Sequence, residues 1–91
     1  MKNARDILRD RVLVFDGGMG TYYKGRPGME CEQANLADPE GILAVHREYL
    51  DAGAEAIKTN TFGLPRMAAA GLDNWQELAA AGWRLACRAA E

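Results

Sequence analysis

The sequence has few cysteines, no long apolar run and no excess of basic residues, and each shortage excludes a class of protein. Two cysteines, Cys31 and Cys87, are too few for a disulfide scaffold and are typical of a reducing, cytoplasmic compartment. No apolar run approaches the roughly 20 residues of a transmembrane helix, and the charged first segment, MKNARDILRD, is unlike a secretory signal. The net charge of −2 gives no basic surplus to attract nucleic acids or anionic membranes, so neither partner is expected.

The remaining composition is that of an ordinary globular protein. Of 91 residues, 48% are hydrophobic and 26% are charged, which excludes a disordered tail. The length allows one small domain at most, and a chain this short buries only roughly 60–65% of the surface that its unfolded form exposes. We therefore expect residues 1–91 to form one domain with a marginal core, or a part of a larger domain.

Two short segments have the pattern of β-strands. Residues 12–15, VLVF, are apolar on both faces, which suits a fully buried parallel strand better than a half-exposed hairpin strand. Residues 56–59, AIKT, form the second predicted strand. Between them, residues 21–37 are rich in turn-forming residues and predict a short helical turn followed by a long loop. A further loop is predicted between the second strand and the last helix.

Three segments have helical patterns, of which the first covers residues 3–10. The second begins at the sequence DPE (residues 38–40), because Asp caps free amides, Pro fits the first turn and Glu complements the positive helix end. Gly53 is its expected C-terminal stop. The last helix begins at Asn74, which together with Glu77 makes a start similar to a capping box.

The alternation of predicted strands and helices indicates βαβ units, and therefore an α/β fold with a parallel sheet. Two strands alone cannot form a stable parallel sheet whose two faces are both covered. The chain is therefore predicted to be the beginning of a larger α/β fold.

Polar residues and glycines follow both predicted strands at their carboxyl ends. In α/β folds this is where ligands bind, in open sheets and in barrels alike. The candidate binding residues are Asp16, Gly17, Gly18, Thr59, Asn60 and Thr61. Backbone amides and hydroxyls suit a carboxylate, and the side chain of Asp16 suits an ammonium group, so the two clusters together suit a zwitterion.

Other interpretations of these residues stay open at this point. An Asp-Gly-Gly sequence after a strand is often only a turn, and Thr59 is also compatible with simple strand termination. The glycines lack the spacing of a dinucleotide fingerprint or of a P-loop, so nucleotide binding is not expected. His46 lies in the second predicted helix, close to apolar residues, where packing or hydrogen bonding is a more frequent role than catalysis.

Four stretches of the chain occur together in one order: VLVFDGGMGT, the CEQANL sequence at residues 31–36, DPEGILAVHREYLDAGAEAIKTNTFG, and the following Arg66. From about residue 12 to residue 71, they resemble the homocysteine S-methyltransferase family. The resemblance implies a (β/α)8 TIM barrel, of which residues 1–91 would be the N-terminal part with the first two β/α units. It also implies an enzyme that transfers a methyl group to the thiol of homocysteine to give methionine.

The resemblance further implies roles for the two clusters. The family's aspartate-glycine pair, which holds the amino-acid backbone of homocysteine, maps onto Asp16 and Gly17, with Gly18 next to it. The first threonine of the family's second strand motif, which contacts the substrate, maps onto Thr59. The two residues after Thr59 match the same motif and are expected to have a supporting role.

The cofactor implied by the resemblance is zinc, held by cysteines of later family motifs that are missing from this sequence. No metal ligand and no catalytic residue is therefore assigned to residues 1–91, and the chain alone is expected to be inactive. The implied partners are homocysteine, a methyl donor, and the remainder of the barrel or another copy of the chain. The donor stays open among methyltetrahydrofolate through cobalamin, betaine and S-methylmethionine.

Two further functions stay open. One is a truncated, non-catalytic α/β fragment whose exposed edges act as a binding or association module. The other is a different amino-acid-binding barrel without zinc. Glycine-rich strand ends that contain cysteine, encoded beyond Glu91, would favour the methyltransferase.

Overall fold

The computed structural model describes residues 3, 5–6, 9, 11–25 and 28–91. Among these residues, a 3₁₀ helix at Cys31–Gln33 is followed by four α-helices. They are α1 (Ala34–Ala37), α2 (Pro39–Asp51), α3 (Leu64–Ala69) and α4 (Trp75–Ala90). Half of the residues of the helix predicted over residues 3–10 lie outside the described set. Within the described ranges, no helix is long and apolar enough to cross a membrane.

The two predicted strands meet in a single parallel β-bridge between Phe15 and Ala56, and the described part of the chain contains no regular strand. The Asp16 amide donates to the Ala56 carbonyl at 3.0 Å. The Glu55 and Ala56 amides donate to the Val14 carbonyl at 2.7 and 3.2 Å. The structure therefore has the parallel pairing, but not the two full strands that the sequence predicts.

The predicted burial of residues 12–15 is wrong for this structure. Val12, Val14 and Phe15 are 82%, 51% and 53% exposed. Buried parallel strands need packed layers on both faces, and such layers form over a sheet of several strands. One bridge offers no such sheet, so the described helices pack mainly against one another and leave these apolar side chains uncovered.

Helix α2 begins and ends where the sequence predicts. The Asp38 carboxylate accepts the Gly41 amide at 3.2 Å, and Pro39 occupies the first turn. This cap satisfies one of the free amides at the helix start. Gly53 follows the helix with a φ of 113°, in the left-handed region that glycine adopts readily, and its amide bonds back into the last turn at 3.1 Å.

Three short helical segments lie where the sequence predicts loops. The 3₁₀ helix and α1 occupy the second half of the predicted loop over residues 21–37, and α3 lies before the last helix. These segments are three, four and six residues long, too short for helical periodicity to be recognised. Helix α4 begins at Trp75, directly after the predicted start at Asn74, which occupies the N-cap position without a capping hydrogen bond from its side chain.

The core lies where α1, α2 and α4 meet. Ala34 of α1, Ile42 and Leu43 of α2 and Leu85 of α4 form one cluster of buried side chains. A second cluster connects α3 to α4 and contains Leu64, Met67 and Leu78. Full burial of a side chain such as that of Ile42 stabilises a fold by about 1.5–3 kcal/mol, so these contacts hold the helices together.

His46 of α2 is fully buried, in agreement with a packing role, but its imidazole lacks a hydrogen-bond partner. Neither Nδ1 nor Nε2 has one among the residues that the structure describes. Burial lowers the pKa of His46 below its ordinary value of 6.5, and the Asp16 carboxylate partly offsets that effect. The imidazole is therefore neutral in the folded protein at neutral pH.

Mild acid is expected to destabilise the fold through His46. The unfolded chain binds a proton at this side chain near pH 6.5, whereas the folded chain binds it only at lower pH. As the pH falls below about 6.5, the unfolded state binds more protons, and the free energy of unfolding decreases until the folded-state pKa is reached. Urea unfolding between about pH 7.5 and pH 5 measures this slope.

The variant His46→Leu is the matched control, because it removes the titrating group and both unpaired nitrogens. Its free energy of unfolding at pH 7 should equal or exceed that of the wild type, and its slope over this pH range should be smaller. Glu55, whose pKa the hydrogen bond from Arg11 lowers below its ordinary 4.5, adds to the slope only toward the acidic end of this range and does so equally in wild type and variant. An identical slope in wild type and variant would contradict the prediction.

Candidate functional site

A cavity of about 510 Å³ lies beside the parallel bridge. It is lined by residues 16–20, which follow the bridge in the first segment, and by residues 58–59 and 61–62, which follow it in the second. Residues 31–32 of the 3₁₀ helix complete the lining. Because the paired segments run parallel, the residues that follow each of them arrive at the same end.

Five of the six candidate residues line this cavity. They are Asp16, Gly17, Gly18, Thr59 and Thr61. The two polar clusters, which are about forty residues apart in the sequence, are thus brought together by the pairing of their segments.

Asn60 is the candidate residue that does not line the cavity. It is 4% exposed, and its side-chain amide donates to the Cys31 carbonyl at 2.8 Å and to Asn35 Oδ1 at 2.9 Å. The Asn35 side-chain amide in turn donates to the carbonyls of Asn60, at 2.8 Å, and Leu78, at 3.1 Å. Asn60 therefore supports the wall of the cavity from behind.

The carboxylate of Asp16 is paired within the chain. The Lys58 backbone amide donates to its two oxygens at 3.3 and 3.2 Å, and Lys58 Nζ donates to Oδ1 at 2.7 Å and to the Asp16 carbonyl at 2.9 Å. The Asp16 side chain is only 4% exposed, whereas that of Lys58 is 57% exposed. Sequence reasoning missed Lys58, because side-chain alternation along a strand predicts that it points away from the face of Thr59.

Position 17 requires a glycine because the backbone there lies close to the Tyr49 side chain. The φ of Gly17 is not positive, but a Cβ at this position would lie 2.8 Å from Tyr49 Oη and 3.1 Å from Tyr49 Cε1. The same Tyr49 hydroxyl donates to the Gly18 carbonyl at 2.9 Å. A side chain at residue 17 would therefore displace the ring through which α2 supports this edge of the cavity.

The second cluster combines hydroxyls with an apolar edge. Thr59 Oγ1 and Thr61 Oγ1 share a hydrogen bond at 2.8 Å. Each hydroxyl has one donor and two acceptor positions, so the pair keeps capacity for a ligand. Phe62 also lines the cavity and is 97% exposed. A few polar groups beside apolar surface are typical of sites for small molecules.

The 3₁₀ helix contributes Cys31 and Glu32 to the lining, and the sequence alone did not assign either residue to the site. The only signal in the sequence that could have indicated them is their position in the CEQANL motif. Glu32 is 5% exposed, and its Oε2 accepts the Gly63 amide at 2.6 Å. The Cys31 sulfur lies 3.4 Å from Glu32 Oε1. Burial, and next the charge of Glu32, raise the pKa of the Cys31 thiol to about 11, so it is protonated at neutral pH.

The described part of the chain holds no group of three His, Cys, Asp or Glu residues that could bind a metal ion. A catalytic zinc ion needs three protein ligands, so the described residues do not fit a zinc site of their own. The groups that are present can form hydrogen bonds and ion pairs, which makes positioning of a ligand the chemistry available to this cavity.

Comparison with known proteins supports the family that the motifs resemble. The sequence model of the homocysteine S-methyltransferase family matches residues 13–91. Methionine synthase of Mycobacterium tuberculosis (strain ATCC 25618 / H37Rv) is 40% identical over 68 residues, which cover 64% of this chain and 6% of that protein. Methionine synthase of Mycobacterium leprae (strain TN) is 37% identical over 68 residues, with the same coverage. No solved structure gives a significant match.

The family match and the matches to the two relatives differ in how much sequence they cover. The chain spans about 6% of the length of these curated relatives. The family match, in contrast, includes both polar clusters and all four described α-helices. The predicted family is thus confirmed, and the chain belongs to the homocysteine S-methyltransferase family.

Proposed function

We propose that this chain forms part of the homocysteine-binding site of an enzyme that transfers a methyl group to the homocysteine thiol to give methionine. The observation that carries the proposal is the shared cavity, in which residues 16–18, Thr59 and Thr61 meet. Its volume of about 510 Å³ is in the range of sites for small molecules. Two relatives named methionine synthase support the reaction.

In the proposed complex, the two clusters hold the polar end of homocysteine. The backbone amides of Gly17 and Gly18 donate hydrogen bonds to the ligand, and so does one hydroxyl of the Thr59–Thr61 pair, since the hydrogen of the other is used in their mutual bond. Asp16 accepts from the substrate ammonium, and the residue between the two threonines supports the wall of the site. Fixing the substrate in one orientation lowers the entropic part of the barrier to methyl transfer.

The proposal places residues 1–91 in the N-terminal part of a homocysteine-binding barrel, where their paired segments correspond to the first two strands. Two observations support this position: the parallel bridge from Phe15 to Ala56, and the exposed apolar side chains of Val12 and Val14. Neighbouring strands and helices of a (β/α)8 barrel would cover such side chains. The remainder of the barrel, or another copy of the chain, would supply them.

The parent enzyme of this proposal is cytoplasmic and uses zinc, with cobalamin or folate as one option for its methyl-donor system. The zinc and methyl-donor assignments come from the family resemblance, and the compartment comes from the low cysteine content. The described residues do not fit zinc, so no step proposed for this chain passes through that ion. The role of the chain is to bind and orient the amino acid, and no catalytic residue is assigned to it.

One observation favours a second function, that of a non-catalytic association module. Val12, Val14 and Phe15 form an exposed apolar segment, each residue being at least 51% exposed. Exposed apolar patches frequently mark protein–protein contacts. Under this alternative, the protein would self-associate without binding homocysteine, so a binding measurement distinguishes the two functions.

The variant Asp16→Asn is expected to weaken homocysteine binding by about tenfold or more, because a hydrogen bond to a charged group contributes about 1.5–3 kcal/mol. Titration calorimetry on the full-length protein measures the affinity. The zinc content of the parent enzyme should not change, since Asp16 is not proposed as a ligand. Asp51→Asn is the matched control, because Asp51 is exposed at the end of α2 and does not line the cavity.

Equal affinities of Asp16→Asn and wild type would remove Asp16 from the site. Wild-type protein that does not bind homocysteine at all would instead favour the association module. Thermal unfolding of both variants checks the fold, because Asp16 also pairs with Lys58 in the free protein.

Cys31 and Cys87 are expected not to hold a zinc ion together. A catalytic zinc ion needs three protein ligands, whereas the described residues hold no such group, and Cys31 lines the cavity while Cys87 is an exposed residue of α4. Metal analysis of the purified 91-residue chain should therefore find no retained zinc. One zinc per chain that is lost in both Cys31→Ser and Cys87→Ser would overturn this expectation.

A further inference from the structure

Lys58 is a charged residue of the cavity to which the family resemblance assigns no role. It lines the cavity next to Thr59, and it is the only basic residue among the lining residues that the structure describes. The other charged residues of the lining are Asp16 and Glu32, whose carboxylates are largely buried. Lys58 therefore presents the one accessible positive charge of this lining.

The ammonium group of Lys58 is held in place but is not saturated. A lysine ammonium has three N–H donors. Two of them are directed to Asp16, at Oδ1 and at the backbone carbonyl, and the third has no acceptor within the described part of the chain. Nζ also lies 5.9 Å from the centre of the Phe15 ring, which favours a cation on that side.

From this geometry we propose that Lys58 determines specificity by donating its remaining N–H to the α-carboxylate of the amino-acid substrate. The inference rests on the proposed function and names the group that recognises the acid end of the ligand. Asp16 has two consequences for this contact. It fixes a side chain that is otherwise flexible, which reduces the ordering cost of binding, and it neutralises Lys58 when no ligand is bound.

The proposed contact makes the site selective for ligands that carry both an ammonium and a carboxylate. With Asp16 and Glu32 as anions and Lys58 as the cation, the lining carries one more negative than positive charge, so a free carboxylic acid without an ammonium is disfavoured. An amine without a carboxylate keeps its contact to Asp16 but loses the one to Lys58. Homocysteine and its decarboxylated analogue homocysteamine differ in this one group.

Titration calorimetry of the full-length protein with both ligands tests the inference. In the wild type, homocysteine should bind about tenfold or more tightly than homocysteamine, as expected for one hydrogen bond between charged groups. In Lys58→Met, homocysteine affinity should fall by about the same factor, while homocysteamine affinity should not fall. Lys58→Arg, which keeps the charge and the donors, should retain the preference for homocysteine.

Lys24→Met is the matched control, since Lys24 is exposed and does not line the cavity, and it should change neither affinity. An equal loss for both ligands in Lys58→Met would show that Lys58 acts only through Asp16 and would overturn the inference. If Lys58→Met does not fold, the wild type keeps the inference falsifiable, because equal binding of the two ligands excludes a carboxylate contact and overturns it. Wild-type protein that does not bind homocysteine would refute the proposed function itself.

Discussion

The pairing of residues 14–16 with residues 55–58 determines where every candidate ligand group lies. Asp16 takes part in it twice: its backbone amide donates to the Ala56 carbonyl, and its carboxylate accepts from the backbone and the ammonium of Lys58. In a chain without a regular strand among its described residues, this side-chain contact supplements a ladder of only a few backbone bonds. A change in the pairing of the two segments would therefore also change the geometry of the site.

The helices support the cavity through polar contacts that their sequence positions make possible. Tyr49 connects α2 to Gly18, and Asn35 connects the Leu78 carbonyl of α4 to Asn60 behind the cavity wall. The buried side chains of Asn35 and Asn60 have partners, and such satisfied networks hold a unique arrangement. His46 is the exception, because its buried imidazole has no hydrogen-bond partner among the described residues and adds an energetic cost that grows as the pH falls.

Local features could be predicted from the sequence and features that depend on distant contacts could not. The ends of α2 were predictable, because the Asp38 cap and the Gly53 stop each act within one helical turn. The meeting of both polar clusters was predictable too, since parallel segments bring equivalent ends together. The exposure of residues 12–15 was not, because burial depends on layers that no local pattern encodes. Lys58 was missed for a related reason: its contact to Asp16 follows from an irregular segment, to which strand alternation does not apply.

The electrostatics of the cavity also restrict how an amino-acid thiol could lie in it. Beside Glu32, burial and negative charge raise the pKa of the Cys31 thiol to about 11. A substrate sulfur placed there would experience the same two effects and would remain protonated, which opposes its use as a nucleophile. An ammonium group in this part of the cavity would instead be stabilised by the carboxylates of the lining, Asp16 and Glu32. The carboxylate of the ligand contacts Lys58 in the proposed complex. In the proposed complex the substrate sulfur is therefore disfavoured at the position beside Glu32.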